Sequence, residues 1–361
     1  MTRLSTVVHG RDNNFHLVRL LAASAVLLSH SFPLSTGRLD SEPLRALLGC
    51  TPGSIAVDLF FAISGLLVTM SLVRRNSVGD FLRARFFRIW PALTVAIVLA
   101  VAVIGPLFTS LALPAYFASH DTWRYLGKNL LLLHGIDYTL PGVFDANPMP
   151  HAVNGSLWTL PSEVRCYLWL LAGWIAVRKM TSERVFKIFV TALWAVLFCW
   201  HCWSMTHSTL EQSTPRLNLM FASGVAIYLH RETLVLSTRW LAAAAVALAV
   251  SAISQKTFGV VYVLVVPYAM LCASYLPRGR ILRFNRLGDY SYGVYVYAYP
   301  TQQTLMCLVP TLGVGALFAA SMSVTLALAV LSWHFIEKPA LRLARPAARA
   351  LPAAASAGHA T

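Results

Sequence analysis

Charge is what this 361-residue chain has least of. Only 12% of its residues are Asp, Glu, Lys or Arg, against about a quarter in a soluble globular domain. A lipid-facing surface cannot solvate charge, so the shortage excludes an ordinary soluble fold. Acidic residues are the scarcer sign, 14 against 29 basic, leaving a net charge of +15. The six cysteines are scattered, and only Cys50 lies clearly outside an apolar segment, which excludes a disulfide framework. Cys199 and Cys202 enclose His201 in a C-x-x-C. The motif sits in an apolar helix without a second Cys/His pair of ligand spacing, so it reads as helix interior and implies no metal. There is no internal repeat and no polar stretch long enough for a soluble catalytic domain. Any chemistry must use groups at or inside a membrane.

What is present is apolar: 57% of the residues are hydrophobic. Ten runs approach the ~20 residues that cross a bilayer core. They are Leu17–Leu34, Gly53–Leu72, Trp90–Phe108, Leu157–Val177, Val185–Trp203, Leu217–His230, Leu234–Ile253, Phe258–Leu276, Tyr290–Val309 and Gly313–Phe335. The expected fold is an all-α integral membrane bundle of about ten transmembrane helices over residues 13–340. A basic, Ala- and Pro-rich tail over 341–361 is expected to be cytoplasmic and disordered. The first run lacks a small-residue cleavage site and reads as a retained helix.

In a soluble chain the basic excess would suggest nucleic acid. Here the cations sit in short loops, with no basic stripe carrying interleaved aromatics, so no nucleic-acid partner is expected. Most of them fall on alternate segments. The opposite loops hold only Arg38, Arg45, Arg124, Lys128, Arg216 and Lys256. The positive-inside rule then places both termini in the cytoplasm. The longest external loop, about Thr109–Ser156, contains a helical stretch, Trp123–His134, expected to lie on the surface or re-enter the bilayer. Its second part, Leu140–Gly155, reads as irregular loop.

Ionisable groups within apolar spans are functional candidates by default, and there are few. His30 lies eleven residues beyond Arg19, so both share one face of the first helix with a rise of ~16 Å. His30 alone is either a functional group or a satisfied polar residue near the interface. Asp58 and Glu163 each lie five or six residues into their spans from the outer side, at the depth expected for His30. Asp58 also reads as a structural partner to an Arg. Glu163 and Tyr167 share a helix face, while Arg165 points elsewhere. Arg83, Arg85 and Arg88 precede Trp90-Pro91. They form either a topology and headgroup cluster or a site for donor phosphates, for which Arg forks are suited.

Six segments in order resemble the acyltransferase-3 family, bacterial membrane O-acyltransferases of cell-surface and secreted polysaccharides. They are Phe15 through Arg19 to His30 as the opening; Val57-Asp58-Leu59-Phe60-Phe61-Ala62-Ile63-Ser64-Gly65; and Arg85-x-x-Arg88-x-x-Pro91. Then come Asn154-Gly155-Ser156-Leu157-Trp158-Thr159-Leu160 with Glu163 and Tyr167; Leu287-Gly288 with Tyr290-Ser291-Tyr292-Gly293 and Tyr295; and Phe335-Ile336-Glu337-Lys338-Pro339. The resemblance runs from Asn13 to about Arg345. One position departs: Ala298 stands where many members carry His, which argues against a catalytic role for that helix.

The resemblance implies transfer of an acyl group, most commonly acetyl, from cytosolic acyl-CoA to a saccharide hydroxyl at the bacterial inner membrane. The residues make chemical sense of it. His30 would act as base or transient acyl carrier. Glu163, or else Asp58, would be its carboxylate partner, and Arg19, Arg85 and Arg88 would hold the donor. The competing readings are a membrane transporter of a lipid-linked sugar or small metabolite, and an inactive scaffold. The sequence leaves the acceptor and the oligomeric state open.

Overall fold

The computed structural model describes residues 2–344 apart from Arg11, His134 and residues 179–182, with the side chains of Arg178 and Glu183 also left aside. The expectations for Arg11, His134, Lys179 and residues 345–361 of the tail lie outside the described residues. Of the tail from 341, the part to Ala344 completes the last helical turns.

The chain is a helical bundle, and a helix stands in each of the ten apolar runs. In chain order these are α1 (Phe15–Thr36), α2 (Pro52–Arg75) and α3 (Val78–Leu99), which a π turn extends to Phe108. After the short helix α4 (His120–Leu131) come α5 (Leu160–Arg178), α6 (Glu183–His207) and α7 (Arg216–Leu229). The last four are α8 (Thr238–Ser251), α9 (Gln255–Tyr275), α10 (Ser291–Leu308) and α11 (Val314–Ser332). Among the described residues, six helices are long and apolar enough to cross a membrane: α1, α2, α3, α6, α9 and α11 with their extensions. The chain is thus a multi-pass membrane protein. The other four fall short for visible reasons. At 14 residues each, α7 and α8 rise ~21 Å, less than a ~30 Å core. The α5 helix carries Glu163 and Arg165, and α10 is rich in Tyr and Gln.

Local chemistry sets the starts. Thr51 and Ser54 form a reciprocal capping box ahead of α2, with Pro52 at the first helical position, satisfying amides that would otherwise be orphaned. The short α7 is held by backbone contact with α2. A Cβ on Gly65 would lie 2.0 Å from the Phe221 carbonyl oxygen, and one on Gly224 would lie 2.1 Å from that of Ala62. Small residues permit this approach where lipid offers helices no hydrophobic drive to associate.

The helix in the loop between α3 and α5 runs His120–Leu131 rather than Trp123–His134, and it packs back along α3. The Tyr116 hydroxyl bonds the Val101 carbonyl at 3.0 Å, whereas the Trp90 indole bonds the Leu130 carbonyl at 2.9 Å. The chain therefore runs back along α3 by about three turns. Asp137 then takes Arg124 at 2.8 Å and Lys128 at 2.7 Å. A feature with no sequence signal is the pairing of Thr2–Arg3 with Val235–Leu236, which pins the N-terminal segment to the α7–α8 connection.

Candidate active site

A cavity of about 80 Å³ opens between α1, α2, α3, α5 and α10. Arg19, Arg85, Arg88, Ser64, Glu163 and Tyr167 line it. The three arginines anticipated from the sequence therefore meet in one place, and Glu163 joins them.

Glu163 was expected at the depth of His30. It lines one cavity with Arg19 instead, and Arg19 lies three helical turns from His30 along α1. The cause is the segment before it. The loop dives into the bundle, where the Asn154 amide bonds the Val296 carbonyl at 2.9 Å. A 3₁₀ turn over Gly155–Thr159 then starts α5 only at Leu160. Among the described residues, no hydrogen bond or ion pair joins His30 to Glu163 or to Asp58. Glu163 accepts from the Ser64 hydroxyl at 2.8 Å and from the Tyr167 hydroxyl. The Arg85 guanidinium lies over the Tyr167 ring, 5.7 Å from its centroid.

Asp58 faces the other side of α2. It accepts from Arg216 at 3.0 Å and Tyr262 at 2.8 Å. Arg216 was counted among the external-loop cations; it is instead 1% exposed, because it opens α7 inside the bundle. Asp58 thus takes the structural role that the sequence offered as its alternative.

Two carboxylates that sequence reasoning passed over stand behind the cavity wall, paired with its arginines. Arg19 and Arg88 both donate to one oxygen of Asp289, at 2.6 and 2.8 Å, and Ser291 donates to the other at 2.5 Å. Burial alone would raise the Asp289 carboxyl, but the two guanidiniums outweigh it and hold it well below the usual carboxylate range. Arg88 also pairs with Glu337 at 3.7 Å, and Glu337 takes the Ser332 hydroxyl at 3.1 Å. Glu337 lay within the closing motif, and Asp289 immediately precedes a span. Both are signals that position alone provides.

His30 stands against the Tyr299 ring, edge-on at 5.2 Å between centroids. Its Nδ1 is buried without a hydrogen-bond partner. The loop presses on the same tyrosine at Gly155, where a Cβ would fall 2.6 Å from the ring. The neighbouring Ser29 donates to Glu42, another carboxylate the sequence did not single out, and Glu42 takes Arg45 at 2.7 Å. Below the inner cavity, sharing Leu67 with it, lies a larger one of about 1040 Å³ bordered by His9, His16, Arg74, Arg283 and Arg286. The C-x-x-C histidine is occupied otherwise: His201 pairs with the Ser213 hydroxyl at 2.7 Å and the Gly259 carbonyl at 3.1 Å.

A helical membrane bundle with a charged cavity in its interior, and an imidazole on the same helix beyond it, defines a membrane enzyme site more readily than a soluble one. Residues 12–334 match the family described as "Acyltransferase domain", and the chain belongs to this acyltransferase-3 family. It is 29% identical over 354 residues to an "O-acetyl transferase" of Shigella phage Sf6, covering 93% of this chain and 98% of that protein. It is 30% identical over 366 residues to "Nodulation protein 10" of Rhizobium leguminosarum bv. viciae, covering 92% and 94%. A shorter match, 31% over 172 residues, is to "Acyltransferase MdmB" of Streptomyces mycarofaciens, covering 46% of this chain and 40% of that one. No solved structure matches the chain.

Proposed function

We propose that this acyltransferase moves an acetyl group from cytosolic acetyl-CoA to a saccharide hydroxyl on the far side of a bacterial inner membrane. In this reading about ten helices cross the bilayer and both termini are cytoplasmic. The observation that carries it is the alignment of three polar stations along α1. A basic vestibule reaches His16, a charged cavity holds Arg19, and His30 stands beneath the external loop. The family match supports acyl transfer, and the name of the phage relative supports transfer to oxygen; the saccharide acceptor follows from the family resemblance.

A sugar hydroxyl is a weak nucleophile and needs a base as it attacks a thioester. His30 takes the hydroxyl proton while the oxygen attacks the carbonyl carbon. The C–S bond then breaks, and the proton returns to the departing sulfur to give free CoA and the ester. An imidazole is suited to both transfers near neutral pH. Glu163 is too far along the helix axis to orient His30. It holds Ser64 and Tyr167, and through Tyr167 the platform under Arg85, so its role is to shape the grip on the donor arm. Arg85 is the arginine of the three that meets no carboxylate directly.

The test is His30→Gln, with free-thiol release from acetyl-CoA followed with and without saccharide acceptors. Acceptor-dependent release should fall by about 10²–10⁴-fold in protein that still inserts and elutes as a single species. Full activity in that variant would remove His30 from the mechanism. Vesicle uptake of a sugar without thiol release from any donor would favour a carrier instead.

A further inference from the structure

The inner cavity cannot easily hold the phosphates of its donor. Two of its three guanidiniums are already paired: Arg19 and Arg88 with Asp289, and Arg88 also with Glu337, both just behind the lining, while Glu163 borders the cavity with Arg85. A polyphosphate entering that space would leave water for a pocket in which Arg19 and Arg88 are already paired, and would compete with the carboxylates that hold them, both unfavourable. The lower cavity has the opposite balance. Among the described residues bordering it, Asp12 is the single carboxylate, against three guanidiniums and two imidazoles. Arg74, Arg283 and Arg286 are exposed, and none has an ion pair or hydrogen bond among the described residues. Arg74 closes α2, while Arg283 and Arg286 sit on the 3₁₀ turns of Gly279–Arg286. At the inner end, His16 Nδ1 is buried without a hydrogen-bond partner. The volume, about 1040 Å³, exceeds that of the inner cavity by more than tenfold.

We infer that this vestibule is a phosphate-binding site, in which Arg74, Arg283 and Arg286 hold the nucleotide end of the donor while the uncharged arm passes Leu67 into the inner cavity. The assignment rests on the acyl-CoA reading above and moves the phosphates off Arg19 and Arg88. It explains why those two arginines can be permanently paired in an enzyme that binds an anionic donor. A nucleotide suits the vestibule because unpaired guanidiniums are the groups that fork onto phosphate. Phospholipid headgroups carry the same chemistry and are the rival source.

The test compares acetyl-CoA with S-acetyl-pantetheine, which keeps the thioester and arm but lacks the nucleotide. Full-length protein in detergent is assayed as wild type, as the Arg283→Gln/Arg286→Gln double variant, as Arg74→Gln and as Arg85→Gln. The expected result is that the ratio of kcat/KM for the two donors falls about tenfold or more per arginine removed from the vestibule. Calorimetric affinity for free CoA should fall in parallel, a readout that needs no turnover. CoA binding through these arginines without transfer from any donor would sink the transfer reading and leave the site standing. An unchanged ratio in the double variant and in Arg74→Gln would overturn the site, as would a collapse confined to Arg85→Gln. A third arm measures retention of phosphatidylglycerol. Variants that lose the lipid but keep the donor ratio would assign the arginines to headgroups and overturn the proposal.

Discussion

Among the described residues, two ion clusters inside the bundle are built differently. Asp58, Arg216 and Tyr262 are each no more than 1% exposed and join α2, α7 and α9. They contribute nothing to the lining of the inner cavity. The cluster of Arg19, Arg88 and Asp289 leaves its arginine side chains 13–20% exposed, and both guanidiniums border that cavity. The first ties helices together without access, whereas the second presents its cations to a space a ligand can enter. Burial of an ionisable residue in a membrane protein is therefore a weak guide to function until one sees what the group faces.

The largest effect should come from breaking the closed cluster. Asp58→Asn leaves the Arg216 charge buried without a counterion. This should destabilise the fold by about 3–5 kcal/mol, read as a lost or lowered thermal transition in detergent. The double replacement Asp58→Leu with Arg216→Met removes both charges and should recover most of that loss. If the double variant melts as low as the single one, the cluster is more than a helix tie. Smaller in stability but visible in catalysis is Glu163→Gln. The amide oxygen can still accept from Ser64 and Tyr167, so the transition should move by under about 1 kcal/mol. The donor KM should rise while kcat is largely kept. A drop in kcat alone would place Glu163 in the chemistry after all.

The comparison also shows how far the sequence was readable. Helix positions were, because lipid demands long apolar runs and the ten runs each hold a helix. The meeting of Arg19, Arg85 and Arg88 was anticipated from motifs on separate segments. The depth of Glu163 was not, because it depends on an irregular loop entering the bundle before α5 starts. Helix counting from a hydropathy edge cannot register such a loop. The same blindness made Arg216 a loop cation and let Asp58 stand beside His30 as a candidate. Asp289 was missed because a carboxylate just outside a span looks like ordinary loop polarity. Its function exists only once α1 and α3 each bring an arginine to it.

The smallest effect concerns pH, and it separates the two clusters without touching catalysis. Asp289 has a carboxyl held below its ordinary value by Arg19 and Arg88 against the opposing pull of burial. A group whose folded value is depressed adds stability that is fully present above its unfolded value, near 3.9. That stability fades only as the pH falls through the lower folded value. The difference in thermal transition between wild type and Asp289→Asn should therefore stay level from pH 7 to about pH 4, then shrink on further acidification. A difference that vanishes between pH 7 and pH 5 would mean that the two arginines do not hold Asp289 ionised. The cavity they border would then carry an excess of positive charge. With that excess, the inner cavity itself would attract the donor phosphates, and the vestibule would hold no electrostatic advantage over it.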